Sequence, residues 1–137
     1  MFVWEGSAAV CVNDHRQLLM VLQGTPEEPK RWSVPSGGKK PGETLQECCG
    51  REVWEETGFV VRIRREMWVK RMKSNDAQIT VHYFETEIIG GHPRLHDPDV
   101  LIHEVAWISP EALEHLELSF PEDRDPLLSV LRSHRSP

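Results

Sequence analysis

Three glutamates, Glu52, Glu55 and Glu56, stand at i, i+3 and i+4 in the run Arg51-Glu52-Val53-Trp54-Glu55-Glu56. On a helix that spacing gathers all three carboxylates on one face, where each like-charge pair costs about a few tenths of a kcal/mol. No lysine is interleaved, so the pattern predicts a cation in the gap. Carboxylate oxygens are hard donors and suit Mg²⁺ or Mn²⁺ better than zinc. Arg51 beside them can hold a carboxylate through a bidentate pair. An E-x-x-E-E run by itself is ordinarily a solvated helical face. The frame around it reverses that reading, because Gly37, Glu43, Arg51 and Gly58 fall in one register with the three glutamates. At about 7 % chance per fixed position, seven such positions coincide roughly once in 10⁸ starts.

The elements that must position these groups follow from the neighbouring residues. Pro41-Gly42 signals a turn, and Thr44 with Glu47 three residues on forms a capping box that opens a helix. Leu45, Cys49 and Val53 recur at i, i+4 and i+8, an apolar stripe for the core, and Gly58 sits where a left-handed C-terminal cap wants glycine. Upstream, Ala8–Val12 and Leu18–Leu22 read as two strands around Asn13–Arg16, a hairpin. Residues 24–31 form a Pro-rich polar loop, and Trp32-Ser33-Val34-Pro35 leads into the glycines. Downstream, 60–73 and 78–89 read as a long strand pair turning at Ser74-Asn75-Asp76. Gly90–Pro98 is expected as a loop and His103–Ile108 as a short strand. Ser109-Pro110-Glu111 and Asp125-Pro126 each open a helix.

At 137 residues, with no repeat and no biased tract, positions 1–137 read as a single domain large enough to bury a core. No stretch of about 18 apolar residues occurs, so no membrane-spanning segment is expected. The first residues lack a signal-peptide layout, so a cytoplasmic location is expected. Cys11, Cys48 and Cys49 make an odd count with two adjacent on a helix, so they are neither a disulfide framework nor a zinc site. The seven histidines show no ligand spacing. A net charge of −6 argues against general nucleic-acid binding, since that needs phosphates neutralised by Lys and Arg. It leaves a small nucleotide carrying its own Mg²⁺ open, and a homodimer as well. Arg62, Arg64, Arg65, Lys70, Arg71 and Lys73 cluster after the glutamates, either as a phosphate-facing strip or as solvated side chains.

The stretch Gly37 to Phe59 resembles the Nudix box of the Nudix (MutT-like) hydrolases: G, five residues, E, seven residues, R-E-U-x-E-E-x-G-U, with U a bulky apolar residue. Every fixed position is met. The resemblance implies an α/β (α+β) fold, the Nudix-type α/β/α sandwich around a mixed β-sheet. It implies Mg²⁺-dependent (or Mn²⁺-dependent) hydrolysis of the diphosphate in a nucleoside diphosphate linked to another group. By resemblance, Glu52, Glu55 and Glu56 hold the metal and one of them, or Glu104 on a later strand, takes a proton from water. Glu43 would support the loop and helix, as partner of a metal-bound water or of Arg51. Many members read P-G-G where this chain has Pro35-Ser36-Gly37-Gly38, and the backbone carbonyl at Ser36 matches one that often meets a metal. Serine lacks the freedom of glycine at positive φ. Trp32, Gly37, Gly38, Lys39 and Arg71 are candidate substrate-binding residues.

Downstream marks of ADP-ribose, NADH and dinucleoside polyphosphate subfamilies are absent, which leaves nucleoside triphosphates, cleaved to monophosphate and pyrophosphate, as the default. An RNA 5′-pyrophosphohydrolase, an ADP-ribose or other nucleotide pyrophosphatase, and a non-catalytic binding module of the same fold are the alternatives. Base recognition needs an apolar slot with a few polar partners. Trp32, Trp68, Phe84 and Trp107, with Asn75, Asp76 and Gln78, are the candidates.

Overall fold

In a computed structural model, which describes residues 1–94 and 102–133, the chain forms two sheets between helical layers. The strands are β1 (Phe2–Cys11), β2 (Leu18–Gln23), β3 (Arg31–Ser33), β4 (Ser36–Gly38), β5 (Phe59–Ser74), β6 (Ala77–Gly91) and β7 (Ile102–Ile108). The helices are α1 (Leu45–Thr57), α2 (Pro110–Leu113) and α3 (Arg124–Ser133), with a 3₁₀ turn at Pro121–Asp123 before α3. A four-stranded sheet runs β4-β1-β6-β5 and is mixed, because β1 lies parallel to β6 and antiparallel to β4. A three-stranded antiparallel sheet runs β3-β2-β7 beside it.

Alternation along the strands sends side chains to two cores. Ala9, Cys11, Leu19 and Phe84 pack under α1 with Cys49 and Val53. Ala8, Val10, Met20 and Tyr83 face the other way, toward Leu113 and the α3 leucines Leu127, Leu128 and Leu131. Strands buried on both faces read as continuous apolar runs, and 7–11 of β1 and 18–21 of β2 are buried throughout. The expected α/β/α layering is present.

Two local expectations are revised. The 8–12 and 18–22 segments are not a paired hairpin: Asn13 closes a turn onto Gln17, one bridge joins Val12 to Leu18, and the strands then part into different sheets. Each needs partners on both edges, and each finds them elsewhere, β1 in β4 and β6, β2 in β3 and β7. The stretch Arg31–Gly38 is not simply a lead-in; it supplies two three-residue strands, one to each sheet. The long pair β5–β6 forms as expected and turns through Asn75, which takes positive φ (51°), a conformation asparagine tolerates. The end of the Gly90–Pro98 loop lies outside the described residues, and its first two residues belong to β6. Helix α3 begins at Arg124, one residue before Asp125. Among the described residues no helix is long and apolar enough to cross a membrane.

Candidate active site

Helix α1 starts as its sequence dictates. The Thr44 hydroxyl accepts from the Glu47 amide (3.0 Å), and the Glu47 carboxylate accepts from the Thr44 amide (2.8 Å). Gly58 ends it at φ 83°, donating its amide to the Trp54 carbonyl. Between these caps Cys49 and Val53 anchor one side in the core, which turns Arg51, Glu52 and Glu55 toward β4 and the loop before the helix.

The cation in the gap between the carboxylates is the guanidinium of Arg51. It grips Glu43 bidentately, Nη2 to Oε1 at 2.7 Å and Nε to Oε2 at 3.0 Å. Its Nη1 donates to Glu52 (2.7 Å) and Glu55 (3.3 Å), and Nη2 also reaches the Gly38 carbonyl (3.0 Å). One side chain thus joins the loop, β4 and α1. The Arg51 pair, with the Lys40 amide, holds the Glu43 carboxyl down at about 2, far below its ordinary range. The same carboxylates push the guanidinium upward, so it stays charged. Glu56, 9 % exposed, is buried, which excludes the solvated-face reading for it.

Gly37 is glycine for want of room, not for backbone freedom, since its φ is not positive. A Cβ there would stand 2.3 Å from the Glu52 carboxyl carbon, so the carboxylate lies directly against the strand backbone. Ser36 likewise is not at positive φ, so serine meets no left-handed backbone strain there. Gly38 and Gly6 are also close-packed: a Cβ on either would meet the Trp4 indole, at 3.0 Å and 2.4 Å. Among the described residues no three His, Cys, Asp or Glu side chains converge as metal ligands, because Glu52 and Glu55 turn to Arg51. Their chemistry still fits a hard divalent ion: anionic oxygens on one helix face, beside a strand whose missing Cβ lets the Glu52 carboxylate lie against the backbone.

Next to this network a cavity of about 310 Å³ opens over the four-stranded sheet, within the size range of small-molecule sites. Its floor follows the register row by row. Ser36, Ala8 and Tyr83 form one row, Trp4, Ile79 and Met72 another. Phe120 and Asp123, from the turn before α3, form the opposite wall. Asp123 is buried and accepts from the Tyr83 hydroxyl (2.6 Å) and from Lys70 Nζ (2.9 Å). Lys70 also reaches Glu122 (2.9 Å) and stands 4.6 Å over the Phe120 ring. Burial, then Asp123, pushes the Tyr83 hydroxyl upward, so it remains a donor.

The structure brings together Arg51, Glu43, Glu52, Glu55, Gly37 and Gly38, and puts Ser36 at the junction with the cavity. It does not bring the other substrate candidates there. Trp32 packs against the α3-side core, and Trp107 and Phe84 lie in the α1-side core. Trp68 stacks on Tyr83 (4.7 Å), Asn75 makes the turn, and the Asp76 carbonyl accepts from the Phe2 amide. Lys39 is exposed and donates its amide to the Glu5 carbonyl. Arg71 alternates with Lys70 and Met72, which line the cavity, so it points to the other face. Glu104 is exposed on β7 and alternates with Val105, which packs toward α1. The basic cluster divides: Arg62 and Arg64 pair with Glu87, Arg64 and Arg65 with Glu85, and Lys70 is 14 % exposed in the cavity wall. Sequence reasoning missed Trp4, Phe120 and Asp123 as lining residues. The alternation Ile79-Val81-Tyr83 was the available signal that one face of β6 lies over something apolar.

An acidic helix is thus braced against β4, the strand that also edges a cavity over the four-stranded sheet. The Nudix domain family model matches residues 5–131, and the chain belongs to the Nudix hydrolase family. It is 29 % identical over 110 residues to a putative 8-oxo-dGTP diphosphatase of Bacillus subtilis, covering 80 % of this chain and 68 % of that protein. It is 30 % identical to the NAD-capped RNA hydrolase NudC of Chromobacterium violaceum over 82 % of this chain, which spans only 41 % of that longer protein. A NUDIX hydrolase structure from Nitrosomonas europaea superposes with a TM-score of 0.83 at 22 % identity, covering 97 % of this chain and 91 % of that one, a likeness of fold.

Proposed function

We propose that this protein hydrolyses the phosphoanhydride of a nucleoside diphosphate derivative, in the first instance a nucleoside triphosphate giving monophosphate and pyrophosphate, with Mg²⁺ or Mn²⁺. The observation that carries this reading is the junction at Ser36. The carboxylate network on one side and an apolar cavity on the other share the three-residue strand β4. A ligand with a polyphosphate at one end and a flat apolar group at the other fits that junction. The Bacillus relative, named for a nucleoside triphosphate, supports the same class.

Glu52, Glu55 and Glu56, with the Ser36 carbonyl, would hold the ion. When bound, it neutralises phosphate oxygens and acidifies a coordinated water. The chain supplies the rest. Arg51 grips Glu43 and the Gly38 carbonyl, contacts that would hold β4 and α1 in register if Glu52 and Glu55 were given up to an ion. One of the three glutamates accepts the proton of the attacking water. Positioning and electrostatics of this kind carry most of the rate in phosphoryl chemistry. The cavity excludes water from the ligand's apolar half and fixes where the phosphates fall. Three buried free thiols, Cys11, Cys48 and Cys49, suit a reducing cytoplasm.

The test is a product-resolved turnover screen with Mg²⁺ across nucleoside triphosphates, ADP-ribose, nucleotide sugars, dinucleoside polyphosphates and 5′-triphosphate RNA, run beside Glu55→Gln. Monophosphate plus pyrophosphate from a triphosphate, lost in the variant, is the expected result. Turnover only of the diphosphate-linked compounds would move the substrate class. Silence across the panel would sink the enzymatic reading.

A further inference from the structure

Residues Gly38, Gly6, Val81 and Lys70 occupy one register row across β4, β1, β6 and β5. At about 4.8 Å per strand, Lys70 therefore stands roughly 14 Å across the sheet from Gly38, whose carbonyl Arg51 holds. The row runs from the carboxylate network to the far wall of the cavity. The Trp4 ring covers Gly6 and Gly38 at the near end of that row, so a nucleotide with its phosphates at the network and its base stacked on that ring presents the base's polar edge to Lys70.

The groups on that wall are specific. Tyr83 spends its proton on Asp123, so the hydroxyl offers an occupant no donor. Lys70 has three N–H groups, of which Glu122 and Asp123 take two. The third is the donor this wall offers among the described residues. The Lys70 stem cannot swing freely, being clamped by two carboxylates and seated over the Phe120 ring. A fixed ammonium can only donate. It accepts a base edge that carries a carbonyl oxygen and opposes one that turns an amino group toward it. The neighbouring Asp123 has lone pairs to spare for the ring N–H that accompanies such a carbonyl.

We infer that Lys70 is a specificity-determining residue of this site, reading the polar edge of the base and selecting keto bases over amino bases. This rests on the proposed nucleotide reading. Substrate pairs that differ only at that edge isolate it: ITP against ATP, and UTP against CTP. In wild type, kcat/KM favours the keto member of each pair. Lys70→Met keeps the stem and removes the donors, and the keto-to-amino ratio falls by about tenfold or more, the scale of one charge-assisted hydrogen bond. Lys70→Arg, which keeps a donor, retains the direction of the preference. The ratio is measured on one preparation at a time, so a fraction of unfolded variant cancels out of it. A ratio unchanged in Lys70→Met, or an amino preference in wild type, overturns the inference while leaving the hydrolase reading intact. Turnover of none of the four triphosphates by wild type overturns the inference together with the triphosphate reading, and hydrolysis of diphosphate-linked compounds by the same preparation shows that the hydrolase reading survives.

Discussion

The two halves of the site are built by different means. The carboxylate network comes from one short stretch, residues 37–56, and its geometry is local: helical spacing sets Glu52 against Glu55, and a missing Cβ sets Glu52 against Gly37. The cavity draws Trp4, Ser36, Lys70, Tyr83 and Asp123 from five separate segments, assembled by strand register and by the turn before α3. The network sits on side chains that can move without disturbing the core. The cavity wall is part of the core, since Tyr83 belongs to the α3-side cluster. Damage to the first should therefore cost chemistry, and damage to the second should cost stability.

The largest expected effect tests the first half. Glu55 is one-third exposed and shares Arg51 with Glu43 and Glu52, which keep the guanidinium paired when Glu55 is neutralised. Glu55→Gln should leave the urea midpoint unchanged and lower kcat by at least about 10², the scale of losing one preorganised electrostatic group. Near-normal turnover would remove the carboxylates from the mechanism. Activity should also vanish with chelator and return with Mg²⁺.

Two glycines of the same box sharpen the contrast. At Gly37 an added methyl meets the far end of a flexible side chain, the Glu52 carboxyl. At Gly58 it meets the His92 carbonyl at 2.4 Å, in backbone held at φ 83°. Gly37→Ala should displace Glu52 and cut kcat at little cost in stability. Gly58→Ala should cost about 2 kcal/mol or more, since a left-handed position alone costs an L-residue roughly 1–2, while the folded fraction turns over normally. Denaturation curves and kcat on both variants check this; equal stability losses would erase the distinction.

The same contrast explains what could be read from the sequence. The α1 caps and its buried stripe are short-range and were legible in residue spacing, while Arg51 as the partner of Glu43 was one of two alternatives that the resemblance implied. So was the β5–β6 pair, because Asn75 marks its turn. The parting of β1 from β2 was not legible, since a turn at Asn13–Gln17 fixes direction but says nothing about which edge a doubly buried strand will choose. The cavity was illegible for the same reason. Aromatic residues were the natural candidates for a base slot, yet Trp32, Phe84 and Trp107 went to cores, and Trp4 gained its place only because Gly6 and Gly38 leave room for its ring. Lys70 read as one of six basic residues; only the row it shares with Gly38 distinguishes it.

A smaller effect probes the cavity wall. Tyr83→Phe removes the donor to Asp123 Oδ2 and keeps the ring stacked on Trp68. Leaving a buried carboxylate short of one hydrogen bond should cost about 1–3 kcal/mol. Lys70 still holds Asp123, so the loss belongs at the low end of that range, and kcat should change less than stability does. A variant as stable as wild type but inactive would mean the wall takes part in the chemistry and would break the comparison.

The smallest effect lies where the two halves meet the solvent, in the loop that Arg51 fastens through Glu43. The Glu43 carboxyl is held at about 2 against an ordinary value of 4.5, chiefly by Arg51 and then by the Lys40 amide. A depressed carboxylate contributes stability that is fully present above its unfolded value and is lost as pH falls through the folded one. The gap in Tm between wild type and Glu43→Gln should therefore be constant above about pH 5 and close progressively between 4.5 and 2. Arg51 does not titrate in that range, so a gap that closes there reports Glu43 itself. A gap that stays constant down to pH 2 would show that the loop is held by its backbone bonds, such as that from the Glu43 amide to the Lys40 carbonyl, and that the ion pair serves only to orient Arg51.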